Sequence, residues 1–176
     1  MKPLFIGRFQ PMHLGHLRAI EWIINRGGVD RLIIGIGSSN QAFTFRNPLT
    51  AGERIEMVTS VLDEVGVKYT ICTIPDTGGQ ASIWFSYVKN YCPRFDMVYS
   101  NDPFTRLALT YWNVPALQTP LFDKDNLSGS NIRLMIARGD EGWVNLVPAS
   151  VRDFLIEINA VERIRVLARI EGVVKA

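Results

Sequence analysis

Long apolar runs are missing from this sequence. No stretch approaches the ~20 residues that a membrane-spanning helix needs, so no membrane association is expected. Blocks of like charge are missing too. No five consecutive residues share a sign and the net charge is only +2, which argues against a nucleic-acid partner. The opening MKPLFIGRF holds three apolar residues in a row before Gly7, too few for a signal-peptide core. Cysteine is scarce: Cys72 and Cys92 stand alone, with no Cys-x-x-Cys. Both lie in apolar surroundings, so the expectation is two reduced thiols in a cytoplasmic protein. Histidine is equally scarce. The two present, His13 and His16, sit three residues apart directly after the first apolar run.

What is present reads as a single α/β domain spanning residues 1–176, long enough for one good-sized core. Short apolar runs at 3–6, 31–37, 67–74, 96–100 and 115–119 read as strands. Between them lie helix-period stretches at 14–26, 50–62, 81–91 and 103–112. Leu14, Leu17, Ile20, Ile23 and Ile24 mark the buried face of the first helix; Ile55, Val58, Val61 and Leu62 mark that of the second. Thr50 and Glu53 form a capping box. Ser130 opens a helix that Gly139 ends, and two helical pieces follow from about Ala149 and Val161. Strictly alternating strands and helices predict a doubly wound, parallel five-stranded sheet, Rossmann-like, with C-terminal helices. Ligands on such sheets sit beyond the carboxyl ends of the strands.

Three segments fall on that rim. The first is GRFQPMHLGH (7–16), where Gly7 closes the strand and the helix starts near His13 or Leu14. His13 and His16 then share a face at a helix N-terminus, an end that suits phosphate. A zinc site needs three or four ligands; with no third histidine and no paired cysteines, phosphate donation is the better reading of the pair, and no metal ligand is assigned. The second segment, GSSNQAFTFRNPLTAGER (37–54), brings Arg46 and Arg54 to another helix start. The third, LSGSNIR (127–133), offers Ser128 and Ser130 as caps with Arg133 one turn in.

Together these segments resemble the nucleotidyltransferase superfamily that carries H-x-G-H in its first loop and a Ser-rich, Arg-ended motif near its last helix. Within it the likeness is to archaeal-type nicotinamide-nucleotide adenylyltransferases, carried by GRFQPMHLGH, IGSSNQ, RNPLTAGER, ASIW, VYSNDP, SGSNIR and WVNLVPASV. Two departures stand out. Asp76 lies eight residues before Trp84, where the family has an acid seven before. Asp102 replaces a neutral amide.

The resemblance implies transfer of the adenylyl group of ATP to nicotinamide mononucleotide, giving NAD and pyrophosphate. It implies Gly7, Arg8, Phe9, Gln10, His13, His16, Arg46, Ser128, Ser130 and Arg133 around ATP. His13, His16, Arg46 and Arg133 would be the catalytic set, the histidines donating more strongly if protonated. Ser38, Ser39, Asp76, Gln80, Ala81, Trp84 and Asn101 would meet the mononucleotide or NAD, Trp84 by stacking on the nicotinamide ring. Mg²⁺ would ride on the ATP phosphates, and the chain would form a homo-oligomer, a hexamer in this family. The alternatives are a sister adenylyltransferase acting on phosphopantetheine or flavin mononucleotide, and a non-catalytic nucleotide sensor.

Overall fold

A computed structural model describes residues 1–123 and 125–174. Five strands form one sheet: β1 (Pro3–Gly7), β2 (Leu32–Gly37), β3 (Tyr69–Ile74), β4 (Met97–Tyr99) and β5 (Ala116–Leu117). Their spatial order is β3-β2-β1-β4-β5, and every pairing is parallel. The chain therefore winds outward from β1 to β3, then returns to start again at β4 beside β1. That reversal opens a crevice above the carboxyl ends of β1 and β4.

Among the described residues seven helices connect or flank the strands: α1 (Leu14–Asn25), α2 (Ala51–Val65), α3 (Ala81–Tyr91), α4 (Pro103–Tyr111), α5 (Gly129–Arg138), α6 (Ala149–Glu157) and α7 (Ala160–Ile170). A short 3₁₀ turn at Glu141–Asn145, not expected from the periodicity, precedes α6. The core divides along the two sheet faces. Phe5, Leu32, Ile34 and Ile36 face α1, α2 and the three C-terminal helices. Leu4, Ile6, Ile33, Ile74 and Val98 face α3 and α4. Burial on both faces is why the central strands read as unbroken apolar runs instead of alternating ones.

Three expectations change. In α2 the buried side chains include Arg54, Met57, Val58, Val61 and Leu62, whereas Ile55 is exposed. The inward stripe thus begins with an arginine, which an apolar-period reading passes over. At α5 the N-cap is Ser128, whose hydroxyl accepts from the Asn131 N–H at 3.1 Å; Ser130 is already helical.

The third change concerns the cysteines, which are bonded to each other. The β3–α3 crossover folds back over its own sheet face, so Cys72 on β3 and Cys92 at the end of α3 come within 5.3 Å, Cα to Cα. That lies inside the span of a disulfide, and twenty residues of sequence separation do not reveal it. Closing a loop of this length stabilises by roughly 3 kcal/mol. Reduction, or Cys92→Ala, should lower the urea-derived unfolding free energy by about that amount. Identical urea midpoints with and without reductant would show that the bond contributes nothing.

Candidate active site

The crevice is a cleft of about 530 Å³. Its floor is the β1–α1 turn. His13 is the N-cap of α1, with extended backbone (φ −139°, ψ 170°). Its N–H donates to His16 Nδ1 at 3.3 Å. Accepting there leaves the His16 proton on Nε2, the far side of the ring. The two imidazoles lie against each other with centroids 3.7 Å apart, and Phe9 and Phe5 flank His16 at 4.7 and 6.3 Å. A Cβ on Gly15 would approach the His13 ring to 3.0 Å, which accounts for the glycine between the two histidines.

These surroundings are apolar, so they oppose charge. Burial lowers His13 to about 4. His16 is held well below its usual value, by burial first and the neighbouring His13 second. Both rings are therefore neutral at pH 7 in the free protein, so the stronger donation that protonation would bring is not available there. Each imidazole offers one N–H. His13 Nδ1 is buried, with no hydrogen-bond partner among the described residues.

The positive charge comes from arginines. Arg133, only 4% exposed, donates through Nη1 to the carbonyl oxygen of Gln10 at 2.7 Å and through Nη2 to Ser130 Oγ at 3.3 Å. Its Nε is buried and has no hydrogen-bond partner among the described residues. Gly129 permits this contact, because a Cβ there would sit 3.0 Å from the same Gln10 oxygen. Burial, then Arg8 and Arg46, lower Arg133 to about 10. Arg8 is lowered by burial and by Arg46, while Asp102 and Asp76 act in the opposite sense. Arg8 Nη1 reaches Asn47 Oδ1 at 3.5 Å. Three cations are thus held where they repel one another, an arrangement that a polyanion relieves.

The loop carrying Arg46 is pinned from two sides. Gln10 makes a reciprocal pair with Leu49, its Nε2 donating to the Leu49 oxygen and its Oε1 accepting the Leu49 N–H, both at 2.9 Å. From α7, Arg163 forks onto Glu53 at 2.8 Å through both terminal nitrogens. Glu53 in turn completes the capping box by accepting the Thr50 N–H at 2.9 Å.

Comparison with known proteins decides the family. Residues 4–135 match the cytidylyltransferase-like family. The chain is 42% identical to a nicotinamide-nucleotide adenylyltransferase of Thermococcus onnurineus, over 94% of this chain and 87% of that one. The same-named proteins of Halobacterium salinarum and Pyrococcus furiosus are 43% and 41% identical, over 93% and 94% of this chain and 90% and 88% of theirs. The chain belongs to the nicotinamide-nucleotide adenylyltransferase family. Its fold is also that of a bifunctional NMN adenylyltransferase/ADP ribose pyrophosphatase of Francisella tularensis, crystallised with AMP and a manganese ion (TM-score 0.69, 19% identity). That likeness covers 94% of this chain but 52% of the bifunctional protein.

Every residue that the family likeness assigns to ATP lines the cleft: Gly7, Arg8, Phe9, Gln10, His13, His16, Arg46, Ser128, Ser130 and Arg133. The Gln10 side chain is nevertheless spent on Leu49, and the Phe9 ring is buried at 1% exposure. Of the mononucleotide set, Ser38, Asp76, Trp84 and Asn101 line the cleft; Ser39, Gln80 and Ala81 do not. Ser38 Oγ donates to Asp76 Oδ2 at 3.1 Å, and Asn40 Oδ1 accepts the Asp76 N–H at 2.7 Å, tying the two upper loops together. The loop of the extra residue turns back at Gly78 and Gly79, both with positive φ, and Trp84 reaches the cleft with one side packed on the α3–α4 core. Asn101 exchanges hydrogen bonds with Thr119, which ties the end of β4 to the segment after β5.

Asp102, the second departure, is the N-cap of α4 and accepts the Thr105 N–H at 2.7 Å. Missed altogether were Phe104, Leu121 and Phe122, apolar residues that line the cleft. Only their position in space distinguishes them from core or surface side chains.

The neutral histidines carry a pH signature. In the unfolded chain His13 takes a proton near pH 6.5; in the fold it does so only near 4. Its stabilising contribution is complete above pH 6.5 and is lost as the pH falls towards 4. Between pH 7 and pH 5 it should cost about 2 kcal/mol of unfolding free energy, with His16 acting in the same direction. Urea titrations at the two pH values, on the protein and on His13→Asn, should show a flatter dependence for the variant. Equal pH slopes for both proteins would mean that His13 is not buried neutral.

Proposed function

We propose that the cleft transfers the adenylyl group of ATP to nicotinamide mononucleotide, releasing NAD and pyrophosphate, by direct in-line displacement. One observation carries this reading. Three mutually repelling arginines and two neutral imidazoles line a cleft that also exposes a tryptophan. The arginines suit a triphosphate, and the tryptophan suits a flat ring.

The mononucleotide phosphate is already ionised at pH 7, so its oxygen attacks the α-phosphorus without a general base. The bond from the α-phosphorus to the bridging oxygen breaks, and pyrophosphate leaves with that electron pair. No side chain becomes covalent; catalysis is positioning and charge stabilisation. Arg8, Arg46 and Arg133 neutralise the triphosphate. His16, through Nε2–H, and His13 donate to the α- and β-phosphates. Ser128 and Ser130 stand beside them at the α5 N-terminus, whose free N–H groups suit phosphate. Trp84 stacks on the nicotinamide, near the Ser38–Asp76 pair.

Among the described residues no group of three His, Cys, Asp or Glu side chains is placed to hold a metal ion. That fits Mg²⁺ brought in on phosphate oxygens and water. A homo-oligomer, hexameric as in the resemblance, completes the reading; a cytoplasmic location then rests on the likeness to nicotinamide-nucleotide adenylyltransferases, since the cysteines that suggested it are bonded to each other. Among the described residues no helix is long and apolar enough to cross a membrane. Leu107 and Tyr111, 72% and 78% exposed on α4, are apolar surface that a second copy would cover.

Incubation with ATP, Mg²⁺ and each of nicotinamide mononucleotide, nicotinic acid mononucleotide, phosphopantetheine and flavin mononucleotide, with pyrophosphate measured, tests the acceptor. Release with a pyridine mononucleotide is expected; release only with phosphopantetheine or flavin mononucleotide refutes the choice. Tight NAD binding without any release would mark a sensor. His16→Ala should lower kcat by about 10²–10³, the usual effect of removing one transition-state donor, with ATP affinity changed far less. Near-normal turnover in that variant would remove His16 from the mechanism.

A further inference from the structure

Arg54 has no place in the mechanism above, yet its position is unusual. The side chain is fully buried and does not line the cleft. Among the described residues no carboxylate lies within ion-pair distance of it. Buried charges are ordinarily paired with an opposite charge. This one is held by carbonyl oxygens alone. Nη1 donates to Gly37 O at 2.7 Å and Arg8 O at 3.0 Å, Nη2 to Ser38 O at 3.1 Å, and Nε to Thr50 O at 3.2 Å.

Those four oxygens come from three places that have to meet: the turn leaving β1, the turn leaving β2, and the start of α2. Both turns pass through a left-handed residue other than glycine, Phe9 at φ 50° and Ser38 at φ 49°. Such conformations persist where the surroundings over-determine them. Arg54 binds the carbonyl immediately before Phe9 and the carbonyl of Ser38 itself. One rigid, planar fork therefore clamps both strained turns. In front of the clamp, Arg8 faces the cleft and Ser38 holds Asp76. The Arg54 charge also acts on the same region: burial and Arg8 together lower it to about 10.

We propose that Arg54 is a positioning residue for adenylyl transfer. Without touching substrate, it fastens the β1–α1 turn to the β2–α2 turn and so sets where Arg8 stands relative to the Ser38–Asp76 pair. The inference rests on the reading of the cleft as an ATP site and on adenylyl transfer there. It goes beyond that reading by making the geometry of the reaction depend on a residue outside the cleft. Lysine is the discriminating substitute, because it keeps the charge and much of the length but cannot fork onto four oxygens.

The test compares the full-length protein with Arg54→Lys and Arg54→Met. Four quantities are read: kcat, KM for ATP, calorimetric ATP stoichiometry, and the ³¹P resonance of the α-phosphate in bound ATP. For Arg54→Lys, one ATP should still bind per chain, with KM within about fivefold and kcat lower by about 30-fold or more. The bound α-phosphate resonance should move back towards its free position. Arg54→Met should lose at least as much kcat; should it fail to fold, Arg54→Lys carries the comparison.

An Arg54→Lys kcat within about threefold of the parent would overturn the proposal. So would a kcat loss that merely tracks lost ATP stoichiometry, since that is the mark of a purely structural arginine. If the parent itself released no pyrophosphate with any acceptor, the functional reading would fail instead. The α-phosphate resonance would then decide alone: the same position in parent and Arg54→Lys refutes the positioning role.

Discussion

Positive charge held, among the described residues, by neutral oxygens instead of ion pairs is the constraint around which this molecule is built. Arg8, Arg46 and Arg133 converge on one cleft, where burial and neighbouring arginines lower Arg8 and Arg133, and Arg54 stands behind them, wholly buried. Like charges in a low-dielectric setting separate unless something holds them. Here the retaining groups are backbone oxygens and side-chain amides: Gln10 O under Arg133, Asn47 under Arg8, and four carbonyls around Arg54. Asp76 and Asp102 also line the cleft and act on Arg8 in the opposite sense, but among the described residues neither forms an ion pair with these arginines. Neutral oxygens satisfy the donors and leave the field intact.

The parallel sheet makes this possible. Every strand delivers its carboxyl end to the same rim, and a helix N-terminus follows each of the first four strands. The chirality of such crossovers brings α3 back over β3, which explains both the Cys72–Cys92 bond and the arrival of Trp84 at the cleft. The C-terminal helices contribute at a distance. Through Arg163 and Glu53, α7 restrains the loop that carries Arg46. The catalysis by positioning proposed above would need such restraint, because small displacements of the aligned groups are costly.

Much of the site was legible in one dimension because its parts are local. The spacing of His13 and His16, the Thr50–Glu53 box and the Gly-Ser turn before Arg133 each depend on neighbours within a few residues. Strand and helix order followed from periodicity for the same reason. What escaped was non-local. Ile55 looked inward, and Arg54 was read only as a rim arginine beside Arg46, until the sheet showed which residue of α2 meets the strand ends. The protonation of the histidines stayed open until Phe5, Phe9 and their own stacking enclosed them.

The sequence by itself determined the order of elements, the phosphate-suited chemistry of three loops and the family to which the chain belongs. These reside in short motifs whose residue types and spacings are constrained by the backbone next to them. Only the tertiary structure decided the protonation of His13 and His16, the pairing of the cysteines, the diversion of Gln10 to Leu49 and the burial of Arg54. Each of those depends on what lies across the sheet or in the neighbouring loop. Desolvation and hydrogen-bond partnership are properties of a place, and a residue acquires its place only when distant segments meet.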